Sequence, residues 1–292
     1  MKVVKVAVVL AVLAIAASAY CQDMTTGIFS ARQLGMGGAA IAVADDAYAW
    51  AQNPAGLPNV KSPGNRGSWG FNLAGGLSFS SRFQDEDSFN LWNLSVSGVD
   101  PTRTWGIGGG WGHEGEEGWG NSTGYGVGIG TRIKSEDHPF NVGVSLFHVE
   151  QPRYGYVMPA AATYMRLPNE TDNMFNVGFM YDIKIPDSHP IRLGLVIQDV
   201  TDQIQRSWNV GASYRAGRHF LIAADLDSVA SNNNWGAGAE YSFADDWCLR
   251  AGDHDGAFTY GAGYHHGNIY VDFGRDQKND EETNMITAGF TF

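Results

Sequence analysis

The sequence predicts an all-β protein, a transmembrane antiparallel β-barrel of about fourteen strands with an N-terminal lumenal plug. Three observations predict it. The chain opens on an export sequence, its body reads as short segments of apolar–polar alternation, and it ends on an aromatic-rich strand whose last residue is Phe292.

Lys2 and Lys5 precede an apolar run from Val6 to Ala16, and Ala17-Ser18-Ala19 supplies a small-x-small cleavage pattern. The run is shorter than the roughly 20 residues of a transmembrane helix. Residues 1–19 are therefore expected to be a signal peptide. Cys21 follows at once, but Tyr20 stands where a lipidated cysteine is normally preceded by a small residue. The remaining chain divides into 20–66, without alternation, and 67–292, the barrel.

Composition narrows the class. A net charge of -12 and a pI near 5.0 exclude the basic face that a nucleic-acid partner needs. Glycine (38) and aromatic residues (9 Trp, 12 Tyr, 15 Phe) are abundant, as in barrel walls whose aromatics gather at the two membrane interfaces.

Alternation is clearest near the C-terminus. In 235–243, Trp235, Ala237, Ala239, Tyr241 and Phe243 share one face, and Gly236, Gly238, Glu240 and Ser242 the other. Segments 258–265 and 269–274 repeat it. The fourteen segments lie near 67–80, 88–98, 103–113, 122–134, 139–149, 172–184, 190–199, 206–215, 218–228, 234–243, 246–254, 257–265, 268–275 and 283–292. Connections after odd-numbered strands are expected to be the longer, external ones, with Glu150 to Thr171 the one sizeable loop; Asp255-Gly256 is a short exception. Charges in hydrocarbon cost several kcal/mol, so the apolar faces should meet lipid. Arg132, Lys134, Asp182, Arg192, Arg215, Asp225, Glu240, Arg250 and Asp272 then face the lumen. A soluble sandwich would invert the faces, and periodicity alone does not separate the two. The ending Met285 to Phe292, with Phe290 and Phe292 on the apolar face, resembles the terminal strand by which barrel-assembly machinery recognises its clients.

Residues 31–57 hold Leu34-Gly35-Met36-Gly37-Gly38-Ala39, the pair Asp45-Asp46, and Asn53-Pro54-Ala55-Gly56-Leu57. This order resembles the N-terminal region of the FadL-like outer-membrane transporters of long-chain fatty acids and the related PorV/PorQ-type barrels. The resemblance implies a fourteen-stranded barrel with a lumenal plug or hatch, in which Gly35, Met36, Gly37, Gly38, Asp45, Asp46, Asn53, Pro54, Ala55 and Gly56 shape the gate. It implies passive uptake of hydrophobic or amphipathic small molecules, with outer-membrane lipid as surroundings; the alternative is a PorV-like scaffold that binds secreted or surface proteins. Asp45 or Asp46 is expected to cap a short helix through Trp50 that Pro54 and Gly56 end. Glycine in strands marks close approach of another backbone, so Gly106, Gly108, Gly110, Gly112, Gly126, Gly128 and Gly130 should form the wall where the plug packs.

No enzyme is expected. Asp253-His254-Asp255, His113-Glu114 and His265-His266 read as solvated turn or rim residues, because no nucleophile, base and orienting group can be assembled from them. His265 and His266 point to opposite strand faces, no zinc spacing occurs, and neither metal nor cofactor is expected. Cys21 and Cys248 both fall toward one end of the barrel and could form a disulfide between plug and wall.

Overall fold

The computed structural model describes residues 29–63, 68–82, 88–116, 120–134, 139–158, 163–185, 189–202, 206–227, 234–244, 246–278 and 281–292. The proposed signal peptide and Cys21 lie outside them. Fourteen strands close a barrel in which each pairs antiparallel with its chain neighbours and β1 pairs with β14. They are β1 (Gly70–Arg82), β2 (Ser88–Val99), β3 (Trp105–Glu116), β4 (Gly120–Ile133), β5 (Phe140–Met158), β6 (Thr163–Ile183), β7 (Ile191–Gln198), β8 (Ser207–Ala216), β9 (Phe220–Asp227), β10 (Asn234–Phe243), β11 (Trp247–His254), β12 (Ala257–His266), β13 (Ile269–Lys278) and β14 (Glu281–Thr291). Closure gives every strand a partner on both sides, the condition for strands in hydrocarbon.

Burial decides the question that periodicity left open. On β2, Leu94 is 53% exposed and the next residue, Ser95, 2%; on β12, Phe258 is 60% exposed and Thr259 fully buried. The apolar face is the outer one, as in a membrane barrel and opposite to a soluble sandwich. Exposed aromatics form two belts. Trp105, Phe140, Tyr241, Trp247, Tyr264, Phe290 and Phe292 ring the rim where the barrel's chain ends lie (the terminal rim). Trp92, Tyr125, Trp208 and Phe258 lie toward the opposite, far rim.

The connections correct the sequence reading in one respect. The stretch from Glu150 to Thr171 is mostly strand: β5 continues to Met158 and β6 starts at Thr163. Register shifts between Gln151 and Arg153 and between Tyr156 and Met158 break the two-residue period there. A bulge moves the following side chains to the other face, so an alternation test reads it as loop. Pro152, which cannot donate to a ladder, sits at the first shift. Consequently connections are short at both rims, and the hairpin of β5 and β6 stands beyond its neighbours, since β4 pairs with β5 only as far as Glu150 and β7 reaches β6 only at Val177. The short turn at Asp255-Gly256 has both residues at positive φ (50° and 83°), the backbone of a tight two-residue hairpin.

Residues 29–63 run inside the barrel and are almost wholly buried. They contain helix α1 (Ala31–Gly35), helix α2 (Ala49–Gln52) and a 3₁₀ turn (Pro54–Asn59). Ser30 caps α1 by accepting from the Gln33 amide at 3.2 Å. Gly37 and Gly38, at φ 66° and 81°, end it, with Gly38 N–H donating to Gln33 O and Gly37 N–H to Leu34 O. The expected cap at α2 is not formed. Its N-cap is Tyr48, without a side-chain hydrogen bond, and Asp46 instead accepts from the Tyr48 amide in the preceding turn. Asn53 caps the 3₁₀ turn through the Ala55 amide, and Pro54 begins that turn.

Candidate functional site: the filled lumen

Small inward residues make room for the segment. A Cβ on Gly108 would meet Trp50 Cβ at 2.9 Å, one on Gly110 Trp50 Cζ2 at 2.9 Å, and one on Gly126 Trp50 Cζ3 at 2.5 Å. Gly106 and Gly130 face Leu57 and Pro54. Gly112, expected in the same set, faces only Asn93 and the β2 backbone within 4 Å. The belt extends well beyond the strands that sequence reading singled out. Gly143 and Gly178 face Pro54 and Asn53, Gly194 and Gly211 face Ile41, Gly236, Gly238 and Gly252 face Met36 or Gly37, Gly261 faces Gly35, and Gly274 faces the Ala31 carbonyl. The Leu34–Ala39 motif thereby acquires a physical reason. Gly37 needs its left-handed backbone, and a side chain there would strike the Asp253 and Ala237 carbonyls.

Backbone groups of a buried irregular segment must find partners. Here the wall provides them. Asp225 on β9 accepts from the amides of Ala40 (2.5 Å) and Ile41 (2.7 Å). Ser213 donates to the Ala42 carbonyl, Ser95 and Ser97 to Ala47, and Asn141 to Ala55. Asn53 donates to the Ile41 carbonyl at 2.9 Å and to Phe179 on β6 at 3.3 Å, and Thr287 accepts from the Ala31 amide. Trp50 completes the docking, its indole N–H on Ser95 Oγ at 2.7 Å and its ring stacked on Phe147 at 4.9 Å.

Charge forms the second set of contacts. Lys61 pairs with Asp45 (2.9 Å), Asp45 with Arg32 (2.5 Å), Arg32 with Glu240 (3.0 Å), Glu240 with Arg250 (2.9 Å) and Arg250 with Asp272 (2.7 Å). Signs alternate from segment to wall across β10, β11 and β13. Burial alone would raise the Asp45 carboxyl, but Arg32 and Lys61 outweigh it and hold it well below the usual carboxylate range. Asp46 moves the other way, raised by burial and by Asp45 against the pull of Arg32. Of the remaining lumenal charges, Asp182 and Arg192 pair with each other at 2.7 Å, and Arg132 holds Asn59 of the segment. Arg215 is half-buried on the inward face of β8. Cys248 is buried on the inward face of β11; the expected bridge to Cys21 falls outside the described residues.

A pocket toward the far rim is lined by Phe29, Gln33, Ile41 and Gln52 of the segment and by Gln198, Asn209, Asp225, Asp227 and His254 of the wall. It has room for about two water molecules. Sequence reading missed it, because its wall residues come from four strands whose relative register no single-strand pattern encodes.

An apolar exterior, a closed ladder of fourteen strands and a polar, filled interior define an integral membrane β-barrel. Among solved structures, the chain is similar to the Pseudomonas putida toluene transporter TodX (12% identity, TM-score 0.61, 90% of this chain and 97% of that one). It is also similar to the monoaromatic hydrocarbon channel CymD (14%, TM-score 0.57, 90% and 96%) and to a Pseudomonas aeruginosa FadL homologue (10%, TM-score 0.55, 94% and 99%). The chain thus has the FadL-type outer-membrane barrel fold. No family model and no curated protein matches it.

Proposed function

We propose that the protein is an outer-membrane channel for passive uptake of hydrophobic or amphipathic small molecules, in which residues 29–63 act as a plug that must shift for passage. The observation that carries the reading is the filled lumen: the segment occupies the pore, and the pocket above it is too small for an acyl chain or an aromatic ring. The terminal rim then faces the periplasm and the far rim the exterior. Phe29, Ile41 and Ala51 beside Gln33, Asp227 and His254 give the external pocket a mixed lining, suited to a molecule with one apolar and one polar end. The segment is held by hydrogen bonds and ion pairs as well as by packing, so a modest shift can exchange its wall contacts for water.

The test is uptake of a labelled long-chain fatty acid and a labelled monoaromatic hydrocarbon by cells lacking their own hydrophobic-solute channel. Expression of the protein should raise uptake of at least one. Asn53→Ala, which removes the bonds to Ile41, Phe179 and Ala55, should change the rate. No uptake of either solute above the empty-vector level would sink the reading.

One observation favours a second reading. The hairpin of β5 and β6 stands beyond its neighbours at the far rim, where a scaffold barrel would meet a secreted or surface protein. A stoichiometric protein that co-purifies with the intact barrel, and is lost when 151–170 is replaced by a short turn, would favour it.

A further inference from the structure

We propose that the terminal rim of the lumen carries a binding site for a soft divalent metal ion, zinc foremost, built from Cys248 on β11, His265 on β12 and Asp272 on β13. Each residue offers one donor atom, and the three donors lie within 4.8 Å of one another. The three strands sit side by side, and the register pairs Cys248 with Gly263 and Gly263 with Asp272. Gly263 is the centre of the arrangement. A Cβ on it would lie 3.1 Å from His265 Nε2, 2.6 Å from Cys248 Sγ and closer still to Asp272 Oδ1. The three donors thus converge on one point, kept clear by a residue with no side chain. Zinc takes thiolate sulfur at about 2.3 Å and imidazole nitrogen or carboxylate oxygen at about 2.0–2.2 Å, so small side-chain adjustments bring all three to bonding distance.

Two further features suit a cation. The charge chain ending at Asp272 holds three cationic side chains (Lys61, Arg32, Arg250) against four carboxylates (Asp45, Asp46, Glu240, Asp272), an excess of one negative charge. Binding would release the thiol proton of Cys248 and add a second negative charge, which a divalent ion balances. Arg250 keeps its hold on Asp272 at 2.7 Å and orients that carboxylate, while the ion displaces the 3.0 Å contact between His265 Nε2 and Asp272. The His265 side chain is 47% exposed, so the ion has a path from the rim and a fourth position for water. A cysteine thiolate with an imidazole selects zinc or copper over magnesium and calcium.

The experiment is equilibrium dialysis of the reduced, folded barrel in detergent against Zn²⁺, with metal counted by atomic emission, followed by Co²⁺ substitution. The expected result is one ion per barrel and a thiolate-to-cobalt charge-transfer band. Both should be lost in Cys248→Ser and affinity should fall by at least about tenfold in His265→Ala, while each variant keeps the heat-modifiable gel migration of a closed barrel. Gly263→Ala, which fills the convergence point, should lose the ion as well. No bound zinc in the reduced wild-type barrel, or equal zinc in Cys248→Ser, would overturn the proposal.

Discussion

Arg32 of the lumenal segment and Glu240 of β10 meet at 3.0 Å through Glu240 Oε2, and the same oxygen accepts from Arg250 of β11 at 2.9 Å. One carboxylate therefore joins two buried guanidinium groups that come from different parts of the molecule. Removing one partner of a buried pair leaves an uncompensated charge, at a cost of about 3–5 kcal/mol. Glu240→Gln is expected to lower the midpoint of thermal unfolding in detergent and to expose residues 29–63 to protease while the barrel stays closed. A protection pattern identical to wild type would mean that the ion pair does not hold the segment.

Trp50 packs the segment against β2 to β5 of the wall. Its ring fills the space over Gly110 and Gly126 and stacks on Phe147, and its Cβ lies over Gly108 and Gly128. Trp50→Ala is expected to destabilise the docked segment by about 3–5 kcal/mol, and planar-bilayer recordings should show higher ion conductance as water enters the vacated space. Gly126→Val should give the same conductance change from the opposite side, by pushing the indole out. Unchanged conductance in both would show that the ring plays no part in sealing the lumen.

The two halves of this docking differ in how far the sequence discloses them. A strand's face is a matter of parity, so Trp235 to Phe243 assigns Glu240 to the lumen without any knowledge of its neighbours, and Gly106, Gly108, Gly110, Gly126, Gly128 and Gly130, though not Gly112, announce a close approach by themselves. Parity is lost at a bulge, which is why the strands continuing through Gln151–Met158 read as loop. Partnership between strands depends on register, and register is set by the closed ladder as a whole. Nothing in the order Cys248, His265, Asp272 shows that the three side chains converge over Gly263. Equally, the pairing of Asp225 with the Ala40 and Ile41 amides depends on where a turn of irregular backbone settles, which neither helical nor strand periodicity predicts.

Acid should loosen the segment, and the sign follows from Asp45. Its folded carboxyl is held below the usual range by Arg32 and Lys61, so it stabilises the docked state fully above the unfolded value of about 3.9. That stabilisation is lost as pH falls below this value toward the folded one. Asp46, shifted upward, contributes with the opposite sign and partly masks the effect. Protease exposure of residues 29–63 should therefore rise as pH is lowered below about 4, and Asp45→Asn should flatten the profile. A profile unchanged in Asp45→Asn would assign the acid response to another group.

Phe292 separates folding from assembly. Its amide and carbonyl close the barrel against Phe71, with Phe71 N–H donating to Phe292 O at 2.7 Å and Phe292 N–H to Phe71 O at 2.9 Å. Its ring lies on the outer face, 53% exposed and stacked on Phe71 and Phe290. The backbone closure does not depend on that ring, so Phe292→Ser should leave the unfolding midpoint of barrel refolded in detergent nearly unchanged. If the terminal aromatic is what the assembly machinery reads, the same substitution should cut the folded barrel recovered from cell membranes several-fold. Equal recovery from cells would remove the assembly role, and a large fall in the refolded protein's stability would make the ring a structural clasp between β1 and β14.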